Sequence, residues 1–259
     1  MNGIYGIKRK EQNREGRRKC WKPIFERSGN DQNHGRLAEV TDIAMYDKKK
    51  VDYSLYLVTD RALSLGRSNL AVIKAAVEGG ATLVQLREKE ATTREFYQEG
   101  LDIRAYLKNR NIPLVINDRI DIALALDAEG VHLGQGDMPV DLARKILGPK
   151  KIIGASVFTL EEAKIAEKLG ADYLGLSPIF VTETKPELDR HIGIEGIPQF
   201  KATVQIPVVG IGSISESNAY EAVKAGLDGV AVVSAICSQE DPRAAATEIK
   251  KEVLRAKRS

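Results

Sequence analysis

Glu78-Gly79-Gly80-Ala81-Thr82-Leu83-Val84-Gln85-Leu86-Arg87-Glu88-Lys89 decides the architecture. The stretch leaves a helical pattern through glycine, enters an apolar run and emerges on polar side chains. Glycine ends helices because it takes φ > 0 without a Cβ clash. The run at 82–86 is short and apolar, as a strand buried on both faces should be. Alternate strand side chains face the same way, so Gln85, Arg87 and Lys89 share one face and Val84 and Leu86 the other. An amide and two cations at the exit of such a strand suit a planar polar group with an anion beyond it. A solvated strand end is the plain alternative. Unusual polar groups at four later strand ends weigh against it.

The same join recurs as Lys168-Leu169-Gly170-Ala171 and Lys224-Ala225-Gly226-Leu227. Eight apolar runs can be counted, at 55–58, 82–86, 113–116, 130–133, 151–155, 172–176, 206–211 and 229–233. Amphipathic patterns lie between them. Leu70, Ile73, Ala76 and Val77 have helical spacing, as do Phe96, Leu101, Tyr106 and Leu107. Thr159 with Glu162 three places on is a capping box. Ser215 is expected to open a helix that Gly226 ends, and Asp241-Pro242 to open the last. Eight strand–helix units in about 200 residues predict an α/β fold, a single (β/α)8 TIM barrel, over 51–259. A doubly wound sheet would carry a glycine fingerprint after its first strand, where Thr59-Asp60-Arg61 stands instead. Residues 1–50 are polar, basic and without sustained periodicity, and are expected to form a low-order extension.

Composition narrows the function. The chain has 259 residues and a formal charge of only +3, so nothing global points to nucleic acid or membrane. No apolar run is long enough to span a bilayer, and the N-terminus lacks the apolar core of a secretory signal. Glu11, Glu15 and Glu26 argue against a transit peptide. Cys20 and Cys237 make neither a disulfide framework nor a metal spacing, so a cytoplasmic location is the default. A homo-oligomer is allowed by the sequence and not required by it.

Barrel chemistry sits at the C-terminal strand ends. The third strand ends in Asn117-Asp118-Arg119 and the fourth in Gly134-Gln135-Gly136-Asp137. Asp118 and Asp137, from neighbouring strands, can face each other and hold Mg2+, with water and phosphate oxygens completing its shell. The competing reading is that each aspartate caps the following helix. The fifth strand ends on Ser156. The sixth runs into a long loop with Thr182, Glu183, Thr184 and Lys185, where lids and binding loops occur. The seventh and eighth end in Gly210-Ile211-Gly212-Ser213 and Val232-Val233-Ser234, where barrels often bind phosphate through backbone N–H groups. His34 lies in the extension and His191 in the long loop. His132 lies within a strand and reads as a core histidine with a satisfied ring. Two anion regions follow, a cationic one suited to a diphosphate and a backbone cup suited to a monophosphate. Gln85, Asn117 and Ser156 between them could hold a heteroaromatic ring. The absence of an obvious base or nucleophile fits ionisation of a diphosphate leaving group.

At these residues the chain resembles the thiamine phosphate synthase family over about 53–255. The matching pieces are Gln-Leu-Arg-Glu-Lys at 85–89, Ile-Asn-Asp-Arg at 116–119, Gly-Val-His-Leu-Gly-Gln-x-Asp at 130–137, Gly-x-Ser at 154–156, Asp-Tyr-Leu-Gly at 172–175 with Pro-Ile-Phe-x-Thr-x-Thr-Lys at 178–185, and Val-Val-Ser at 232–234. The resemblance implies joining of a hydroxymethylpyrimidine diphosphate to a thiazole phosphate, plain or carboxylated. One Mg2+ would sit on Asp118 and Asp137. Pyrimidine diphosphate contacts would come from Gln85, Leu86, Arg87, Glu88, Lys89, Asn117, Ser156 and Lys185, with Arg87, Lys89, Ser156 and Lys185 catalytic. Thiazole phosphate contacts would come from Thr182, Glu183, Thr184, Gly212, Ser213, Val233 and Ser234. Ser213 departs from the family's usual glycine, Ser177 from a usual glycine and Phe158 from a common histidine. A thiazole tautomerase is the nearest rival, but it would want a histidine where Pro178 stands. A non-catalytic phospholigand-binding barrel with a basic arm is the second.

Overall fold

The computed structural model describes residues 47–180 and 191–259. The eight strands are β1 (Leu55–Val58), β2 (Leu83–Leu86), β3 (Leu114–Asn117), β4 (Gly130–Leu133), β5 (Ile152–Val157), β6 (Tyr173–Leu176), β7 (Val208–Gly210) and β8 (Gly229–Val232). They pair in parallel in chain order, and β1 pairs with β8 to close the cylinder. The helices that return the chain are α1 (Asn69–Glu78), α2 (Thr93–Lys108), α3 (Ile120–Leu126), α4 (Val140–Leu147), α5 (Leu160–Lys168), α6 (Gly193–Thr203), α7 (Ala219–Lys224), the short α8 (Ser234–Cys237) and α9 (Pro242–Arg258). The expected (β/α)8 barrel is therefore the fold. No helix among the described residues is long and apolar enough to cross a membrane.

The alternation of strand side chains divides the apolar residues into two cores. One fills the layer between strands and helices, with Leu55, Leu57, Val84, Leu86, Leu114 and Ile116 facing it. The other fills the cylinder, with Tyr53, Tyr56, Val58, Leu83, Val115, Ile152, Tyr173, Val209 and Ala231. Both faces of each strand are thus buried, which is why the strands read as continuous apolar runs. Gln85 belongs to the inner set, since it alternates with Val84 and Leu86.

Local signals set several helix starts. Thr92 and Thr159 form full capping boxes with Glu95 and Glu162, and the Asp241 carboxylate accepts from the N–H groups of Arg243 and Ala244. The helix expected to open at Ser215 begins later. The Asn218 side chain accepts from the Ser215 N–H at 2.9 Å and donates to the Ser213 carbonyl at 2.9 Å. It holds those residues in a turn, so α7 starts only at Ala219. Lys48–Lys50 form a 3-10 turn, and Lys48 Nζ lies 2.6 Å from an Asp172 carboxylate oxygen.

Closure at β8 depends on a close approach. A Cβ on Gly229 would lie 1.8 Å from the Tyr53 carbonyl oxygen. Backbone cannot retreat as a flexible side chain can, so overpacking there is costly. Gly229→Ala is expected to cost about 3 kcal/mol and to lower the thermal midpoint by roughly 6 °C or more. Gly136→Ala, with nothing within 4 Å of its added Cβ, is expected to change stability by less than about 0.5 kcal/mol. Equal midpoints for the two variants would contradict this account of closure.

Candidate active site

The polar groups at the mouth start from an unusual backbone. Asp118 follows the last residue of β3 at φ 60°, where a side chain is strained. The Arg119 N–H donates to the Asn117 carbonyl at 2.7 Å, closing a tight turn of γ type around Asp118. The Asp118 N–H donates to the His132 carbonyl at 2.9 Å, tying that turn to β4. Its carboxylate pairs with the Lys89 ammonium beyond β2. Helix capping is not its role, because α3 has no side-chain cap bond.

Asp137 closes the turn after β4. Its carboxylate accepts the Gly134 N–H at 2.7 Å, and its own N–H donates to the Gly134 carbonyl at 3.1 Å. Helix α4 has no side-chain cap bond either. The two carboxylates are near enough to perturb each other. Burial would raise Asp118, but the Lys89 ammonium and the Asp137 carboxyl outweigh it and hold Asp118 below the usual range. Burial and then Asp118 raise Asp137, against the opposing pull of the Gly134 N–H. The pair therefore holds a proton on Asp137 more readily than an isolated carboxylate would.

Arg87 points to the same rim. Its Nη1 donates to the Asp60 carboxylate at 2.9 Å, and its N–H donates to Thr59 Oγ1 at 3.0 Å. Asp60, at the end of β1, thus holds the guanidinium at the mouth. Gln85 and Asn117 stand on the inner faces of β2 and β3. Ser156 stands on β5, with Gln135 Nε2 donating to its carbonyl at 2.6 Å.

Below the rim, five side chains cross the cylinder. Gln85 Nε2 donates to Tyr56 Oη at 2.7 Å, and Tyr56 Oη lies 2.8 Å from Tyr173 Oη. Tyr173 Oη lies 2.9 Å from His132 Nδ1, and His132 Nε2 lies 2.9 Å from Ser156 Oγ. Both His132 ring nitrogens are therefore engaged. Burial pushes this imidazole down to about 4, although Asp118 pulls the other way. Burial also pushes both tyrosine hydroxyls above their usual range.

The far side of the rim is built on β6, β7 and β8. The Ile179 N–H donates to the Ile211 carbonyl at 3.0 Å and the Phe180 N–H to the Gly212 carbonyl at 3.3 Å, binding the turn after β6 to the turn after β7. The Ile192 N–H returns to the Pro178 carbonyl at 2.9 Å. Both flanks of 181–190 are thus anchored beside Gly212 and Ser213. Val233 precedes the short helix α8, which opens at the exposed Ser234. Thr182, Glu183, Thr184 and Lys185 lie outside the described residues.

Two expected contacts sit differently from their neighbours in the motif. The Leu86 side chain is fully buried in the outer core, and the Glu88 carboxylate is turned away onto Arg61 and Asn69. Only their backbone is left for a ligand at the mouth. Sequence reading missed Asp60 as the partner of Arg87, and missed Tyr56 and Tyr173. Their signal was present. Both tyrosines lie at inward positions of otherwise aliphatic strands.

Ser213 stands at φ 49° in the turn after β7. Ser213→Gly is expected to stabilise the protein by about 0.5 to 1 kcal/mol, relief of strain being partly offset by the freer unfolded chain. Denaturant unfolding measures it, and an unchanged or lower stability would contradict strain at this turn.

The family model described as Thiamine monophosphate synthase matches residues 55–236. A thiamine-phosphate synthase of Desulfitobacterium hafniense (strain Y51) is 53% identical over 196 residues, which are 76% of this chain and 95% of that protein. One of Chloroflexus aurantiacus is 50% identical over 200 residues, 77% of this chain and 92% of that protein. The solved structure of a thiamine phosphate pyrophosphorylase from Pyrococcus furiosus is similar with a TM-score of 0.74 and 45% identity, covering 80% of this chain and 98% of that one. The chain belongs to the thiamine monophosphate synthase family and is an enzyme of the transferase class.

Proposed function

We propose that this chain joins a hydroxymethylpyrimidine diphosphate to a thiazole phosphate, plain or carboxylated, giving thiamine phosphate and free diphosphate. The observation that carries the reading is the convergence of Arg87, Lys89, Asp118 and Asp137 at one mouth of the barrel, above a polar floor of Gln85, Asn117 and Ser156. The names of the relatives support the same product.

The acidic pair suits Mg2+. Two carboxylates that crowd one another gain from a divalent cation between them. Among the described residues no group of three or more His, Cys, Asp or Glu side chains is assembled for a metal. Mg2+ takes one or two carboxylates and completes its shell from water and phosphate. When bound, Mg2+ would neutralise charge on the diphosphate oxygens.

The chain's own residues then divide the work. Arg87, oriented by Asp60, offers a forked donor to the diphosphate. Lys89 adds a second cation, and Lys185 is assigned a third. Gln85, Asn117 and Ser156 orient the pyrimidine ring. The C–O bond between the pyrimidine methylene and the diphosphate breaks first, and its electron pair leaves with the diphosphate. The thiazole nitrogen then supplies the pair for the new N–C bond, at short range because both substrates are held. The thiazole phosphate is assigned to Thr182, Glu183, Thr184, Gly212, Ser213, Val233 and Ser234, and the turns at Gly212-Ser213 and Val233-Ser234 offer backbone N–H groups. Preorganised positive charge aimed at a departing anion is the main source of acceleration.

The test supplies both phosphorylated substrates with Mg2+ and measures thiamine phosphate and diphosphate in equal amounts. Asp118→Ala is expected to lower kcat/KM by roughly 100-fold or more, and excess Mg2+ is not expected to restore it. A wild-type protein that makes no thiamine phosphate would overturn the reading.

A further inference from the structure

The barrel interior contains a feature that substrate binding alone does not require. We propose that Gln85, Tyr56, Tyr173, His132 and Ser156 form a one-way hydrogen-bond relay that presents Ser156 to the pyrimidine diphosphate as a donor, making Tyr56, Tyr173 and His132 positioning residues. The proposal rests on the reading of Ser156 as a contact to that substrate.

The direction follows from counting protons. Gln85 Nε2 can only donate, so Tyr56 Oη accepts at 2.7 Å. Tyr56 has one proton, and its other partner is Tyr173 Oη at 2.8 Å. Tyr173 therefore accepts and passes its own proton to His132 Nδ1 at 2.9 Å. Nδ1 must then be bare, so the neutral ring carries its proton on Nε2 and donates it to Ser156 Oγ at 2.9 Å. Ser156 now receives a donor from below, and its hydroxyl proton is left for the mouth. The group it faces must be an acceptor, an oxygen of the diphosphate or a ring nitrogen of the pyrimidine. Were every bond reversed, Ser156 would spend its proton on His132 and turn lone pairs toward an anionic substrate.

The strands make room for this relay. A Cβ on Gly154 would lie 2.1 Å from Tyr173 Cζ, and one on Gly175 would lie 2.9 Å from His132 Cε1. Small residues at these inward positions of β5 and β6 leave the space the phenol and the imidazole fill. The members come from β2, β1, β6, β4 and β5, and Gln85, Tyr56 and Tyr173 are buried. A polar chain inside an apolar cylinder is costly unless every member is satisfied. A satisfied chain also resists partial reversal, because one misdirected proton leaves two donors or two acceptors facing each other.

The test has two arms on the full-length enzyme. In the first, 15N NMR of the imidazoles, without substrate, reads the His132 tautomer, with the signals assigned by their loss in His132→Leu. The expected result is a neutral ring protonated on Nε2. A ring protonated on Nδ1 would overturn the proposal, whatever the activity. In the second arm, Tyr173→Phe removes the donor to Nδ1. It is expected to lower kcat about 10-fold while leaving KM for the thiazole phosphate unchanged. Ser156→Ala is expected to cost about 100-fold alone and markedly less in the Tyr173→Phe background. His132→Gln, which can keep an N–H near Nε2, is expected to retain more activity than His132→Leu. Equal costs of Ser156→Ala in both backgrounds would also overturn the relay. Failure of the wild type to make thiamine phosphate would instead strike the proposed reaction, and the tautomer measurement would still decide the direction of the chain.

Discussion

The mouth of the barrel is organised around the repulsion between Asp118 and Asp137. Parallel pairing fixes the ends of β3 and β4 side by side, so the two carboxylates cannot drift apart without opening the sheet. Two neighbouring carboxylates disfavour each other's ionisation. The fold meets that cost with Lys89 on one carboxylate and a backbone N–H on the other. The strained turn at Asp118 belongs to the same arrangement, since it aims the carboxylate at the rim and away from the N-terminus of α3. A site under this constraint has a place for one more positive charge, which the proposed Mg2+ would supply.

The cylinder beneath this rim is more than filler. Its lower part is apolar, with Tyr53 tilted against Tyr173 at a ring-centroid separation of 5.0 Å. Its upper part is polar and continuous from Gln85 to Ser156. The apolar layer keeps water from below, and the polar layer sets the orientation of the groups that meet a ligand. Arg87 is oriented separately, from β1 through Asp60. Arg87 and the chain from Gln85 to Ser156 thus have independent supports, and each can be weakened without the other.

Much of this was legible in the sequence. The period-2 alternation of 83–87 placed Gln85 and Arg87 on a common face, and strands buried on both sides announced a closed parallel barrel. The order of strand ends brought Asp118 and Asp137 together before any coordinates did. What stayed hidden depends on pairing across the cylinder. Asp60 meets Arg87 only because β1 lies beside β2, and Tyr56 meets Tyr173 only because the barrel is narrow. Glu88 illustrates the opposite failure. It sits inside the most diagnostic motif, yet alternation turns its side chain outward to Arg61. The late start of α7 was missed because an asparagine side chain can replace a helical turn with a local one.

Calorimetric titration with Mg2+ in the presence of inorganic diphosphate tests the central claim most directly, because it reads the acidic pair without the full reaction. The account predicts saturable binding to the wild-type protein. It also predicts at least about 10-fold weaker binding for Asp137→Asn, since one carboxylate cannot hold the ion as two do. Equal Mg2+ affinity in wild type and Asp137→Asn would contradict it.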